Sequence, residues 1–213
     1  MRQFGRVEIP QETFIAALKM EEKGCFTCSI YVLLSLIRES RSWQEGEGTM
    51  SEDELILAIL RTLPSHSVKG KKRLQKLVFL LQKSGVECSA RFAIRNFGPF
   101  SPAIETSSAF LVLLGDIEER EVATGYANYL ATEYFLPEGT DVTAKFSERY
   151  SNILMRLDNF STIELEVAST IAFYEGKGMN RSEAIDETTQ LKPTKVTEKT
   201  LRSSREILEI ITR

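Results

Sequence analysis

The stretch Gly98-Pro99-Phe100-Ser101-Pro102 constrains the fold more than any other. Two nearby prolines behind a glycine exclude an unbroken helix and a central strand, because proline fixes φ and lacks an amide donor. The same residues favour a turn that launches a helix. Ser101 is placed to cap it and Pro102 to fill its first position, where the missing N–H is no loss. Elements on either side are therefore read as meeting at this turn.

Downstream, the helix is expected to run to about Leu114, with Gly115 able to adopt the left-handed cap. Residues 116–121 and 127–135 read as two strands joined by a turn at Gly125. Upstream, residues 88–97 alternate Ala90, Phe92, Ile94 and Asn96 with Arg91, Ala93 and Arg95, a strand pattern. Before that lies a helix over 71–83, with Leu74, Leu77, Val78 and Leu81 as its buried stripe. An earlier helix opens on Ser51-Glu52-Asp53-Glu54, whose Ser-x-x-Glu spacing is a capping box. It buries Leu55, Ile56, Ile59 and Leu60 and ends at Pro64.

This order of helix, helix, strand, helix and two-stranded wing is that of a winged helix. The expected fold class is mainly α with a small β component: a winged-helix-like module at 50–139 and a helical C-terminal subdomain at 140–213. The latter holds helices near 142–157, 182–189 and 197–211. It also holds one opened by a second capping box, Ser161 with Glu164, and carrying Ile163, Val167, Thr170, Ile171 and Tyr174. Residues 1–49 form an extension with helices at 11–23 and 27–39 and a polar linker containing Trp43, a candidate anchor or contact. Met50, directly after the linker, is a candidate natural start.

Charge is unevenly placed. Between residues 61 and 95 there are nine basic side chains and one acid, Glu87, in a chain whose net charge is −3. Such asymmetry accompanies nucleic-acid or acidic-partner binding, although a solvated helix face balanced by acidic helices has the same signature. In a helix-turn-helix arrangement the helix after the Gly-Pro turn would enter the major groove. Its exposed Glu105, Thr106, Ser107 and Ser108 include no Arg or Lys, the usual readers of guanine. Asp116, Glu118, Glu119 and Glu121 on the wing oppose a phosphate backbone. Positive charge on the preceding helix and strand suits phosphate contact better than base readout.

Enzyme signatures are missing. His66 is the sole histidine, and no Gly-x-Ser-x-Gly elbow is present to serve a triad. Gly70-Lys71-Lys72 lacks the upstream glycine of a phosphate loop. Glu118 and Glu119 fall on an exposed strand rather than in an acid–base pair. Cys25-x-x-Cys28 has metal spacing, but only Cys88 and His66 remain to complete a site, and cysteines on a helix commonly serve as small hydrophobes. Tyr126, Tyr129, Tyr134 and Phe135 could stack on bases or pack the wing. No cofactor or metal is expected. Three cysteines cannot make a paired disulfide framework, and no apolar run reaches the roughly 20 residues of a membrane span, so a cytoplasmic location is expected.

Three segments carry a family resemblance. They are Lys72-Arg73-Leu74-Gln75-Lys76-Leu77-Val78-Phe79-Leu80-Leu81-Gln82, Phe97-Gly98-Pro99-Phe100-Ser101, and Leu111-x-x-Leu114-Gly115-x-Ile117. Together they resemble the YwgA-like proteins and, more distantly, the Panacea-domain SocA-like antitoxins, over residues 51–136. The antitoxin resemblance implies protein–protein work, such as neutralising a toxin or delivering it to a protease. It carries over no functional residue.

The resulting expectation is a non-enzymatic DNA-binding regulator, with an antitoxin-like or adaptor protein as the alternative and homodimerisation open. Lys69, Lys71, Lys72, Arg73, Lys76 and Arg95 would contact phosphate, and residues near Ser101 and Thr106 would approach the groove.

Overall fold

The computed structural model describes residues 49–124, 129–143 and 145–212. The first helix, α1 (Glu52–Thr62), starts as its capping box requires: Ser51 Oγ accepts from the Glu54 N–H while the Glu54 carboxylate accepts from the Ser51 N–H. It stops at Leu63, which is extended because the following proline disfavours helical geometry there. A short strand, β1 (Ser67–Lys69), leads into α2 (Lys71–Lys83). After α2 come the hairpin strands β2 (Ala93–Arg95) and β3 (Gly98–Phe100), then α3 (Pro102–Leu114) and the strands β4 (Glu118–Ala123) and β5 (Leu130–Phe135).

The antiparallel sheet has the order β1-β5-β4, so the strand between α1 and α2 pairs with the last strand, some 65 residues on. Val68 and Glu119 flank Tyr134 across the ladder. The preceding residue Glu133, buried between Lys69 and Arg120, accepts from Ser67 Oγ at 3.1 Å and from Arg120 Nε at 2.8 Å. Burial alone would raise its pKa, but the Arg120 and Ser67 hydrogen bonds bring it below the ordinary glutamate value.

Four helices complete the described fold: α4 (Glu148–Asp158), α5 (Thr162–Glu175), α6 (Arg181–Leu191) and α7 (Glu198–Thr212). Helix α5 is the hub. It packs on α2, α6, α7 and the β3 strand, which explains why Leu165 to Thr170 are all buried. One hydrophobic core runs from Leu55 to Ile211, and Gly48–Arg213 form a single compact unit. The architecture is mainly helical with a small sheet.

Several sequence expectations need correction. The strand read at 88–97 is ordered as a strand only over Ala93–Arg95, and Gly98-Pro99-Phe100 is its partner strand rather than the turn. Pro99 is tolerated because a two-stranded ribbon has a free edge. The turn is the pair Asn96-Phe97. The helix expected from residue 142 begins at Glu148. Ile163, expected on the packed side of α5, is 37% exposed. Strand β1 was not expected, nor was a third capping box, Asn180 with Glu183. The helices at 11–23 and 27–39, Trp43, Cys25, Cys28, Tyr126 and the turn at Gly125 lie outside the described residues.

Candidate functional site

Helix α2 alternates roles along its length. Arg73, Leu74, Gln75 and Lys76 hold the fold together, while Lys71 and Lys72 in the preceding half-turn remain exposed. The Gln75 amide donates to the Ser101 carbonyl at 3.0 Å and accepts from the Ser101 N–H at 2.9 Å. Lys76 Nζ donates to the Pro99 carbonyl at 2.5 Å, and its side chain is only 2% exposed. These bonds staple the strand after the turn, and hence the start of α3, onto α2.

The turn itself rests on α5. Gly98 has φ +84°, and a Cβ there would stand 2.7 Å from Thr170 Oγ1, so both conformation and space demand glycine. Beneath it lies Glu166, almost fully buried. Lys192 Nζ reaches its carboxylate at 2.6 Å and also donates to the Asn96 carbonyl at 2.7 Å. Lys195 Nζ is within 2.9 Å of both Glu166 oxygens. Burial pushes the Glu166 carboxyl up, but these two ammonium groups more than offset it and hold its pKa below the ordinary value. Burial also brings Lys76 down to about 8; neighbouring Lys192, Lys195 and Lys72 push the same way, and Glu166 opposes them. Phe97 roofs the cluster, with Lys72 Nζ 3.2 Å and Lys195 Nζ 5.2 Å from its ring centre. Burial, then the Lys195 charge, lowers the Lys72 pKa as well.

Beside this buried cluster opens a cavity of about 590 Å³ between α2, the hairpin, α3 and β5. Leu74, Ile94, Phe97, Phe100 and Ile104 supply apolar wall. Lys71, Lys72, Lys76 and Arg95 line it as cations and Glu105 as the acid among its lining residues. Arg95 stacks over Phe100 at 4.3 Å, and Lys71 lies 5.9 Å from the Tyr134 ring centre.

The sequence-predicted contact residues therefore separate into two groups. Lys69, Lys71, Lys72, Arg95 and Thr106 are exposed. Arg73, Lys76 and Ser101 are not open to a phosphate or a groove. Arg73 donates to the Phe160 and Asp158 carbonyls, both at 2.7 Å, and to Asp158 Oδ1 at 2.8 Å, which ties α2 to the α4–α5 junction. Lys76 is held on Pro99. Ser101 is fully buried; it occupies the helix-cap position without a side-chain cap bond, and its hydroxyl has no partner among the described residues.

Sequence reasoning did not single out Glu166, Lys192 or Lys195. The signal for Glu166 was present: it stands one turn before Thr170, on a side of an apolar helix already expected to be packed. His66 lies away from the cavity, its ring Nδ1 3.2 Å from the Leu60 carbonyl. Cys88 is half-buried, and burial raises its thiol pKa. Among the described residues no group of three His, Cys, Asp or Glu side chains is arranged to hold a metal, and no helix is long and apolar enough to cross a membrane. No family model, curated protein or solved structure matches this chain.

Proposed function

We propose that this chain is a non-enzymatic, winged-helix-like binding protein that grips the phosphate backbone of DNA with the face around α2 and the hairpin. The observation that carries the reading is the exposed group Lys69, Lys71, Lys72 and Arg95, gathered at the start of α2 and the adjoining strands. The element order α1-β1-α2-β2-β3-α3-β4-β5, which is that of a winged helix with an added hairpin between its second and third helices, and the sheet order β1-β5-β4 support the winged-helix assignment. Helix α3 presents Ala103, Glu105, Thr106 and Ala109 outward. That helix has no Arg, Lys, Asn or Gln to make bidentate contacts with base edges, so contact with the backbone outweighs base readout.

Four phosphate contacts, rather than six, set the strength. For duplex DNA the affinity would fall no more than roughly 150-fold between about 50 and about 200 mM salt. Fluorescence anisotropy with a random duplex, comparing wild type with Lys69→Glu/Lys71→Glu/Lys72→Glu, tests this. The variant changes only exposed side chains and should fold normally while losing binding. No binding at the lower salt, or equal binding by the variant, ends the DNA reading.

A second reading, an antitoxin-like adaptor, is favoured by one observation. Leu113 on α3 is 71% exposed and Tyr129 beside β5 is 73% exposed, and tyrosine is enriched among the side chains that anchor protein interfaces. A silent DNA titration would hand the function to this reading.

A further inference from the structure

We propose that the cavity between α2, the β2–β3 hairpin, α3 and β5 is a binding site for a small organic anion with a flat apolar body, such as an aromatic carboxylate or sulfonate. Its volume of about 590 Å³ lies within the roughly 300–1,000 Å³ of small-molecule sites. It opens to solvent at a rim formed by the exposed Lys71, Lys72, Arg95, Phe97 and Glu105, so a ligand can enter without rearrangement of the fold.

The lining specifies the chemistry. Phe97, Phe100, Ile94, Ile104 and Leu74 offer apolar and aromatic wall, which suits an unsaturated ring better than a sugar or a peptide backbone. The exposed cations Lys71, Lys72 and Arg95 are opposed at the lining by Glu105. That surplus fits one anionic group and is too small for a triphosphate-like charge. Lys76 is committed to the Pro99 carbonyl and Gln75 to Ser101. They shape the site and its field without serving as free donors. Ser108 gives its hydroxyl proton to the Glu105 carbonyl at 3.0 Å, so its oxygen remains able to accept. The cavity chemistry does not depend on DNA binding. Where both occur, Lys71, Lys72 and Arg95 are shared, and the two ligands exclude one another.

The test titrates the full chain with anilinonaphthalene sulfonate, a fluorescent aromatic anion, and with phenylnaphthylamine, the same ring system without the charge. The expected result is saturable one-site binding of the sulfonate. It should weaken about tenfold in Lys71→Gln/Arg95→Gln, the loss of roughly one charge-assisted contact. The uncharged amine should change less than about twofold, since the apolar wall is untouched. Ser108→Phe, which puts a ring into the cavity, should abolish binding of both probes. Its fold is checked by its unfolding midpoint, and if it does not fold the exposed-rim variant decides. Absence of saturable sulfonate binding, or equal sulfonate affinity in wild type and the rim variant, overturns the assignment.

Discussion

Lys72 and Lys76 sit one turn apart on the same helix and have opposite fates. Lys76 disappears beneath the Asn96-Phe97 turn, fixed on a carbonyl and drawn toward Glu166. Lys72 stays at the surface, leaning on the Phe97 ring. The same contrast extends around them. Arg73, Lys76 and Lys192 are fixed structural cations, whereas Lys69, Lys71 and Arg95 face solvent. What separates the groups is neither residue type nor helical periodicity. It is whether a carboxylate or a free carbonyl lies opposite, and these come from the hairpin, the α4–α5 junction and α5, all outside the helix itself.

The sharpest way to break this contrast is to remove the carboxylate. Glu166→Gln leaves Lys192, Lys195 and Lys76 close together without their counter-charge. The expected loss is about 3–5 kcal/mol, as for other buried ion pairs stripped of one partner, measured by urea unfolding. Glu105→Gln on the exposed side should stay within about 0.5 kcal/mol. A loss below about 1 kcal/mol for Glu166→Gln would mean that the buried group is no more demanding than the open one.

Next in size is a pH effect. Lys76 titrates near 8 in the fold against an ordinary value of 10.5. Between these values the unfolded chain holds a proton that the folded chain has released, so stability rises with pH across the window. Below about 8 both states are protonated and the fold bears the full cost of the buried charge. Over the whole window the relief reaches about 3 kcal/mol. Urea midpoints measured just below the window and at its upper end should show this rise for wild type relative to Lys76→Met. Parallel profiles for the two proteins would contradict it.

The smallest effect compares neighbours. Arg73→Met should cost about 1–3 kcal/mol, because two carbonyls and a carboxylate lose their donor. Lys72→Met should cost no more than about 1 kcal/mol, the worth of an exposed cation–ring contact. DNA affinity should respond in the reverse order, with folded Arg73→Met binding like wild type and Lys72→Met weakened. Stability and anisotropy measurements on the same two variants sharpen the distinction between structural and surface cations.

Much of the fold was legible locally. Ser51 with Glu54 and Ser161 with Glu164 are self-contained signals, since a cap and its partner lie three residues apart. Pro102 and Gly115 likewise bracket α3. Strand β1 was not legible, because three residues carry almost no periodicity and its pairing partner is β5. The site was legible only as a surplus of positive charge. Arg73 and Lys76 fall off the apolar stripe of α2 and look solvated until α4, α5 and the hairpin are placed against them. Gly98 could be read as a turn residue, but its closeness to Thr170 is a property of two segments that meet only in the fold.

The buried Lys76–Glu166 neighbourhood has a consequence for synthesis. Lys76 leaves the ribosome roughly ninety residues before Glu166, which at typical elongation rates is about 5–18 s. During that interval the ammonium has no Glu166 carboxylate to approach and stays hydrated, and α2 lacks the α5 helix on which it later packs. A nascent chain at this stage presents an amphipathic basic helix that has not yet met one of its packing partners. Its docking onto α5 is the event that ends the exposure.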